Sequence, residues 1–262
     1  EAQEFTTATG LFEYDKKDSD ALNWQTALVY RYDDFGTVHA SVSDRTRFPT
    51  IFERFSSRFG GATSNPDLQP ERAVNYEVGW TNKFARNSQM SAAVFYSDVT
   101  NAIQSVPFIY QGNAVTQSQN VGDGNYYGIE YSVDYAVNDR LLVGGNITWT
   151  HRDIHNPTNP AFELTGMPEV KGIAYLTYKI TNAWSVTPNV EFATDRWTVN
   201  TAGTLYYETG AFALANFQTE YDLTDKTSLL FNARNMFDEN YTLVDGYPEQ
   251  GRNFYVGMRS QF

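Results

Sequence analysis

The sequence predicts an all-β fold, a transmembrane antiparallel β-barrel wall of about twelve strands. Three observations predict it. Apolar residues recur with period two over stretches of about ten residues or more, connections alternate between tight turns and long polar segments, and aromatic residues gather near the ends of the apolar stretches.

A weak strand candidate covers 3–14, and clearer ones follow at 21–32, 36–47, 73–84 and 88–106. At 127–138, Tyr127, Ile129, Tyr131, Val133, Tyr135 and Val137 oppose Gly128, Glu130, Ser132, Asp134, Ala136 and Asn138. Two further candidates lie at 139–152 and 168–180. At 184–193, Trp184, Val186, Pro188, Val190 and Phe192 share one face, with Ser185, Thr187, Asn189, Glu191 and Ala193 on the other. The series closes with 210–222, 225–236 and 252–262. Successive side chains of a strand point to opposite faces, so each stretch has one apolar and one polar side.

Asp33–Gly36, Arg86–Ser88, Asn138–Asp139, Thr181–Asn182 and Thr224–Asp225 read as short turns, rich in residues that turn the chain through their own side chains. Between them lie long segments at about 48–72, 107–123, 153–167, 198–209 and 237–251. One end therefore holds nearly all the long loops, the pattern of an outer-membrane barrel with periplasmic turns and extracellular loops. A soluble sandwich would have shorter strands and less regular alternation. Trp24, Trp80, Trp149, Trp184 and Trp197 fall near strand ends or turns, as interfacial girdles require, although aromatics are also common in strands generally.

Composition narrows the function. The 262 residues carry a net charge of -12 and no cysteine. An acidic chain without a basic stripe is a poor partner for nucleic acid, and disulfides, thiol catalysis and cysteine-held metals are excluded. No run of about 18 apolar residues provides a transmembrane helix. Glu1 opens the chain with neither a basic nor an apolar leader region, so a signal peptide is expected to have been removed or never to have stood at this end.

Residues 45–80, RTRFPTIFERFSSRFGGATSNPDLQPERAVNYEVGW, supply Phe48–Pro49–Thr50, then Asn65, Pro66, Asp67, Leu68, Gln69, Pro70 and Glu71, then Tyr76, Glu77 and Gly79. The carboxyl end reads NARNMFDENY (232–241) and GRNFYVGMRSQF (251–262). The first segment resembles the mid-barrel region of TonB-dependent outer-membrane receptors and the second their final two strands. The resemblance implies a 22-stranded barrel with an N-terminal plug in the lumen, of which residues 1–262 would be the C-terminal barrel part, with the plug absent from this chain. It implies further that external loops capture a scarce nutrient and that TonB supplies the energy for import. A ferric siderophore is the expected cargo, with cobalamin, haem or a copper complex as alternatives; four Met and three His make a dedicated copper site less attractive. Expected partners are the metal chelate or other small nutrient, TonB through the missing N-terminal part, outer-membrane lipid and lipopolysaccharide, and the barrel assembly machinery. The last of these would read the terminal Phe262, which ends an alternating strand.

On the residues alone, Pro66 and Pro70 fix φ and end pairing, so 65–71 reads as a stiff structural turn. Arg45, Arg47, Arg54 and Arg58 cluster within an acidic chain. They suit either an anion-attracting rim for a ferric chelate or ion pairs with acids such as Glu53, Glu77 and Glu130, or with lipopolysaccharide phosphates. Phe108, Tyr110, Trp197, Tyr206, Tyr207 and Tyr247 fall in long loops, where they would stack on cargo or on one another. His151, Asp153 and His155 point the same way in an extended chain, which permits a metal site or simply a solvated loop.

Enzymatic chemistry finds little support, because His39 is the one mid-strand histidine and faces the lumen, where an outer-membrane phospholipase would need its Ser–His pair outside. No cofactor is expected. An autotransporter would begin with a pore-threading helix, and 1–20 has no helical period. The remaining rivals are a stand-alone twelve-stranded pore, a surface enzyme or an adhesin, none of which accounts for the matches at 45–80 and 232–262.

Overall fold

The computed structural model describes residues 3–6, 10–13, 18–57, 60–85, 88–154, 156, 162–200 and 205–261. In chain order the elements are β1 (Gln3–Thr6), β2 (Gly10–Glu13), β3 (Trp24–Arg31), β4 (Gly36–Arg47), α1 (Ile51–Phe55), β5 (Ala62–Thr63), β6 (Glu71–Ala85), β7 (Ser88–Thr100), β8 (Ile103–Tyr110) and β9 (Asn113–Asn120). They continue as β10 (Gly124–Ala136), β11 (Leu141–Ile154), β12 (Val170–Lys179), β13 (Trp184–Ala193), β14 (Arg196–Val199), β15 (Tyr206–Thr209), β16 (Phe212–Thr224), β17 (Thr227–Arg234), β18 (Thr242–Val244), β19 (Tyr247–Pro248) and β20 (Asn253–Ser260).

Eleven strands form one sheet in the order β20-β17-β16-β13-β12-β11-β10-β7-β6-β4-β3, and every pairing within it is antiparallel. These correspond to all the expected strands except the weak one at 3–14, which is instead the separate β1–β2 hairpin. Among the described residues no helix is long and apolar enough to cross a membrane.

The register fixes the faces. Starting from Ile129, the ladder runs to Val94, Val78, Ala40 and Leu28 on one side and to Trp149 and Val170 on the other. Beyond them, Ala174, Val190 and Ala215 share a row, as do Leu229, Met258 and Tyr221. All of these lie on one face of the sheet, and the exposure of Val78 (51%), Ile129 (49%) and Val190 (44%) shows that no other described part of the chain covers it. The opposite face carries Ser41, Ser43, Asn75, Glu77, Ser132, Asp134, Thr187, Asn189 and Asn216, and their bonds run across it. Asn216 Nδ2 donates to Asn189 Oδ1 at 2.9 Å, Ser97 Oγ to Asn75 Oδ1 at 2.7 Å, and the Tyr175 hydroxyl to Asp134. From Tyr127 to Tyr135 the apolar face spans about 26 Å along the strand, or about 20 Å of depth at a tilt of about 40°. That approaches the height of a barrel's lipid band.

The tight turns close through side chains. Asp33 Oδ1 accepts from the N–H groups of Phe35 and Gly36 at 2.7 and 2.5 Å, and Asn138 Oδ1 from those of Arg140 and Leu141 at 2.9 and 3.0 Å. Pro188 has no N–H, and opposite it the β12–β13 ladder lapses between Tyr175↔Asn189 and Tyr178↔Val186. The Thr177 and Thr187 hydroxyls bridge that gap at 3.0 Å.

Two expected boundaries move. The stretch 88–106 is two elements, because Asn101 adopts φ 54°, its N–H is held by Asp123 Oδ1 at 3.0 Å, and the chain turns out of the wall. The segment 107–123 is then largely a second hairpin, β8–β9, whose tip places Gln111 (φ 50°) and Gly112 (φ 81°) in the left-handed region that a two-residue hairpin turn needs. Likewise 198–209 and 237–251 contain the hairpins β14–β15 and β18–β19. Alternation over four residues or fewer is too brief to distinguish such hairpins from loop.

Candidate functional site

All the extra hairpins rise from the end that carries the long connections. The first group stands over β4, β6, β7 and β10. There Val99, Ala102, Val106 and Val121 form a buried apolar cluster, packed by Ala73, Tyr126, Ile154 and Phe162, that seats β8–β9 on the wall. The motif at 65–71 is the buckle between this hairpin and α1. Asn65 N–H donates to the Arg54 carbonyl and Asn65 Nδ2 to the Ser118 carbonyl, both at 2.8 Å. Gln69 and Asn120 exchange two bonds, Gln69 N–H to Asn120 Oδ1 at 2.9 Å and Asn120 Nδ2 to the Gln69 carbonyl at 3.0 Å. Leu68 is buried beneath them, and Glu71 Oε2 accepts the Ile103 N–H at 2.8 Å.

α1 begins with a capping box. Glu53 N–H donates to Thr50 Oγ1 at 3.1 Å, and the Thr50 N–H returns to Glu53 Oε2 at 2.8 Å. Burial alone would raise the Glu53 carboxyl, but the Thr50 bonds and the Arg47 guanidinium outweigh it and hold it below its ordinary value.

The second group stands over β12, β13, β16 and β17. β14–β15 and β18–β19 are tied by Tyr207, whose hydroxyl donates to Asp245, and by the Asp245 N–H to Thr198 Oγ1 at 3.3 Å. Gly166 N–H donates to the Trp197 carbonyl at 2.9 Å, and Arg152 on β11 donates to the Met167 carbonyl, so residues 166–167 lie between hairpin and wall. Phe162 joins the two groups, because it packs on the apolar cluster of the first and meets the Tyr206 ring of the second edge-on at 6.1 Å.

Below the second group, at the mouth of the polar face, lies a cleft of about 590 Å³ lined by Lys171, Ile173, Glu191, Met167, Arg196, Phe212 and Leu243 among others. Arg196 is 8% exposed, and its Nε and Nη2 have no hydrogen-bond partner. Its guanidinium lies 5.4 Å from the Phe212 ring centroid, and Phe212 in turn packs on Tyr241 at 4.4 Å. Burial lowers the pKa of this guanidinium and raises those of the Tyr206 and Tyr241 hydroxyls.

The residues expected from sequence fall into distinct settings. Arg45 donates to Gln25. Arg47 pairs with Glu53 at 2.8 Å and with Glu71 at 3.2 Å. Arg54 donates to the Pro66 carbonyl at 2.6 Å and lies over the Phe55 ring at 5.2 Å. Arg58 lies outside the described residues. Phe108 and Tyr110 sit on β8, with Tyr110 exposed near the hairpin tip. Trp197, Tyr206 and Tyr207 belong to β14–β15, while Tyr247 on β19 is exposed. His151 and Asp153 share the apolar face at the loop end of β11, where His151 stands 3.5 Å from Glu169 and packs against Tyr127 at 5.0 Å. His155 and Phe262 lie outside the described residues. Among the described residues no three His, Cys, Asp or Glu gather as a metal would need.

Sequence reasoning missed Arg196, Lys171, Phe212 and Phe162. The available signal was slight, namely the alternation of Arg196 and Thr198 with Trp197 and Val199, four residues long.

A wall with one apolar and one polar face, tight turns at one end and stacked hairpins at the other, defines a section of an outer-membrane β-barrel. Comparison makes this specific. The family described as "TonB dependent receptor-like, beta-barrel" matches residues 2–236, and the chain belongs to that family. It is an outer-membrane protein.

An iron-regulated outer membrane virulence protein of Vibrio cholerae is 22% identical over 272 residues, covering 98% of this chain and 42% of that protein. The vitamin B12 transporter BtuB of the same species is 22% identical over 237 residues, covering 90% and 36%. Among solved structures, the copper transporter OprC superposes with a TM-score of 0.76 at 19% identity, over 91% of this chain and 39% of the other. The ferric enterobactin receptor of Pseudomonas aeruginosa gives 0.70 at 18% identity, over 92% and 40%. The chain spans about two-fifths of the length of these relatives.

Proposed function

We propose that this chain is the C-terminal barrel part of a TonB-dependent receptor that actively imports a scarce nutrient, a ferric siderophore, across the outer membrane. The carrying observation is the division of the eleven-stranded wall into an uncovered apolar face and a hydrogen-bonded polar face, with the hairpins stacked over the mouth of the polar side. Such a wall leaves lipid on one side and a wet or filled lumen on the other. A plug domain and a TonB-contacting segment belong to the proposal as parts of the complete receptor, as do contacts with lipopolysaccharide and the barrel assembly machinery.

The names of the relatives support a metal chelate or corrin as cargo, and the ferric chelate is favoured because an iron-regulated protein and a ferric enterobactin receptor stand among them. Cobalamin is the alternative that the BtuB relatives support. The loop aromatics Phe108, Tyr110, Trp197, Tyr206, Tyr207 and Tyr247 and the arginines Arg45, Arg47, Arg54 and Arg58 are the proposed contact surface, with the arginines serving chiefly to hold the loops in shape.

The test is uptake of radiolabelled ferric siderophores and cobalamin by cells carrying the complete receptor, with and without TonB. Saturable uptake that collapses without TonB is expected. Uptake that persists unchanged without TonB would replace the reading with a passive pore.

A further inference from the structure

We infer that the cleft on the lipid side of the wall, between residues 20–24 and the loop ends of β4, β6 and β7, is a glycolipid site that holds the sugar head of lipopolysaccharide. The inference rests on the proposed outward direction of the loops and is independent of the cargo.

Register fixes the height of this cleft. Val42, Tyr76, Tyr96 and Tyr127 form one row of the apolar face, and the rings of Tyr76 and Tyr96 meet at 6.3 Å. Such a row of tyrosines marks the boundary between hydrocarbon and head groups. Trp24, Asp44, Val74 and Asp98 form the next row of the same face toward the loops, and Thr46, Arg72 and Thr100 the row after that. From Tyr76 to Arg72 is about 13 Å along the strand, or about 10 Å of depth at a tilt of about 40°. On the other side of the tyrosines the face exposes Val78 and Leu28 to acyl chains. A lipid seated here lays its chains on that strip and puts its head into the cleft.

The cleft has about 560 Å³ and is lined by Asp20, Trp24, Thr46, Arg72, Thr100 and Asn101 among others. Its floor is fixed. Asn23 Oδ1 accepts the Thr46 N–H at 2.8 Å, and buried Asp44 accepts from Arg72 Nε at 2.7 Å and from Nη2. That pairing uses one edge of the guanidinium and leaves Nη1 unbonded on a side chain that is 55% exposed. The Asp20 carboxylate, the Thr46 and Thr100 hydroxyls and the Asn101 side-chain amide also have no hydrogen-bond partner among the described residues.

Side chains that donate and accept in equal measure, set beside an exposed indole, suit a ring that carries hydroxyls and amides on its edge and C–H groups on its face. A bare phosphate fits less well, because Asp44 already neutralises Arg72 and Asp20 and Asp98 add negative charge. Lipopolysaccharide is the outer-leaflet lipid with a sugar head.

The experiment uses the complete receptor, stripped of lipid in detergent. Native mass spectrometry counts bound lipid A and bound phosphatidylglycerol as each is added, and heat-modifiable gel mobility reads the folding of each variant. A triple variant, Trp24→Ala with Thr46→Val and Thr100→Val, removes the indole and both hydroxyls, keeps the branched shape of the threonines and leaves the Arg72–Asp44 pair in place. Asn101→Gly suits the backbone φ of 54° and removes only the amide. Tyr221→Ala, on the same face near the turn end, is the control. We expect wild type to take lipid A at one saturable site, the triple variant to lose about 10-fold or more in affinity and Asn101→Gly about threefold. Tyr221→Ala should change lipid A binding by less than about twofold.

Lipid A affinity within about twofold of wild type in the folded triple variant, or in Asn101→Gly if the triple variant does not fold, overturns the inference. So does wild type that takes no lipid A, or that takes phosphatidylglycerol as tightly, which would assign the cleft to ordinary boundary phospholipid. An equal loss in Tyr221→Ala also overturns it, because the effect would then belong to the whole lipid-facing surface. Uptake that persists without TonB would overturn the import reading and leave the cleft standing, since a passive pore in the same membrane meets the same lipid.

Discussion

The face assignment is tested most sharply at neighbouring residues 189 and 190. Val190 stands on the apolar face of β13 between Ala174 and Ala215, neither of which can shield a charge. It lies six residues from Trp184 at the turn end, about 20 Å along the strand and about 15 Å in depth, which is near the middle of a lipid band about 25 Å tall. Val190→Arg should therefore cost about 2–4 kcal/mol. Asn189→Arg points into the lumen and loses the 2.9 Å bond from Asn216, worth about 0.5–1.5 kcal/mol. The gap of about 2 kcal/mol is roughly a 30-fold difference in folding equilibrium. Reversible urea titration of the complete receptor in phospholipid vesicles, followed by tryptophan fluorescence, measures both. Equal costs, or a larger cost at Asn189, would mean that the faces have been assigned the wrong way round or that this row lies outside the lipid.

Two further predictions concern the loops. Asn120→Ala should leave the wall intact but speed proteolysis between residues 60 and 70 severalfold, since Asn120 Nδ2 also donates to the Asn101 carbonyl at 2.9 Å and thus ties the buckle to both β7 and β8; an unchanged cleavage rate would show that the buckle does not depend on it. The Glu53 carboxyl is held below its ordinary 4.5, so its contribution is present above pH 4.5 and lost as pH falls through the lower folded value. The protection of α1 amides, taken relative to their intrinsic exchange at each pH, should fall across that acid window in wild type and show a weaker pH dependence in Glu53→Gln, and identical profiles would remove Glu53 as the cause.

The wall was legible because a strand that separates lipid from a polar lumen must alternate at every residue, and over ten residues chance rarely imitates that pattern. Val186, Pro188, Val190 and Phe192 fall on the face read from sequence, and the turns at Asp33 and Asn138 close through the side chains that marked them. The hairpins over the mouth were illegible for the same reason in reverse. β14, β15, β18 and β19 have four residues or fewer, and β8 begins where Asn101 turns out of a stretch that otherwise reads as continuous strand. Arginines were visible as a cluster between 45 and 58, but sequence shows only their number. It does not show that Arg47 faces both Glu53 and Glu71, partners 6 and 24 positions away.

The residues of the 65–71 motif and the buried groups left unpaired near the mouth, Arg196 and Tyr206 among them, are different residues, and there is a physical reason for it. Asn65, Gln69 and Glu71 direct their polar groups to Ser118, Asn120, Ile103 and Arg47, bonds that set how a hairpin leaves a barrel wall. That geometric problem does not depend on what the barrel carries, so a receptor for any cargo can use the same solution. Arg196 sits in a short hairpin whose shape is fixed instead by backbone pairing and by Tyr207 and Thr198. Its guanidinium stands over the Phe212 ring, with no hydrogen-bond partner for Nε or Nη2 among the described residues. The relatives and structural neighbours, whose names point to iron, cobalamin and copper, match at about the same low identity, so likeness alone does not single out a cargo.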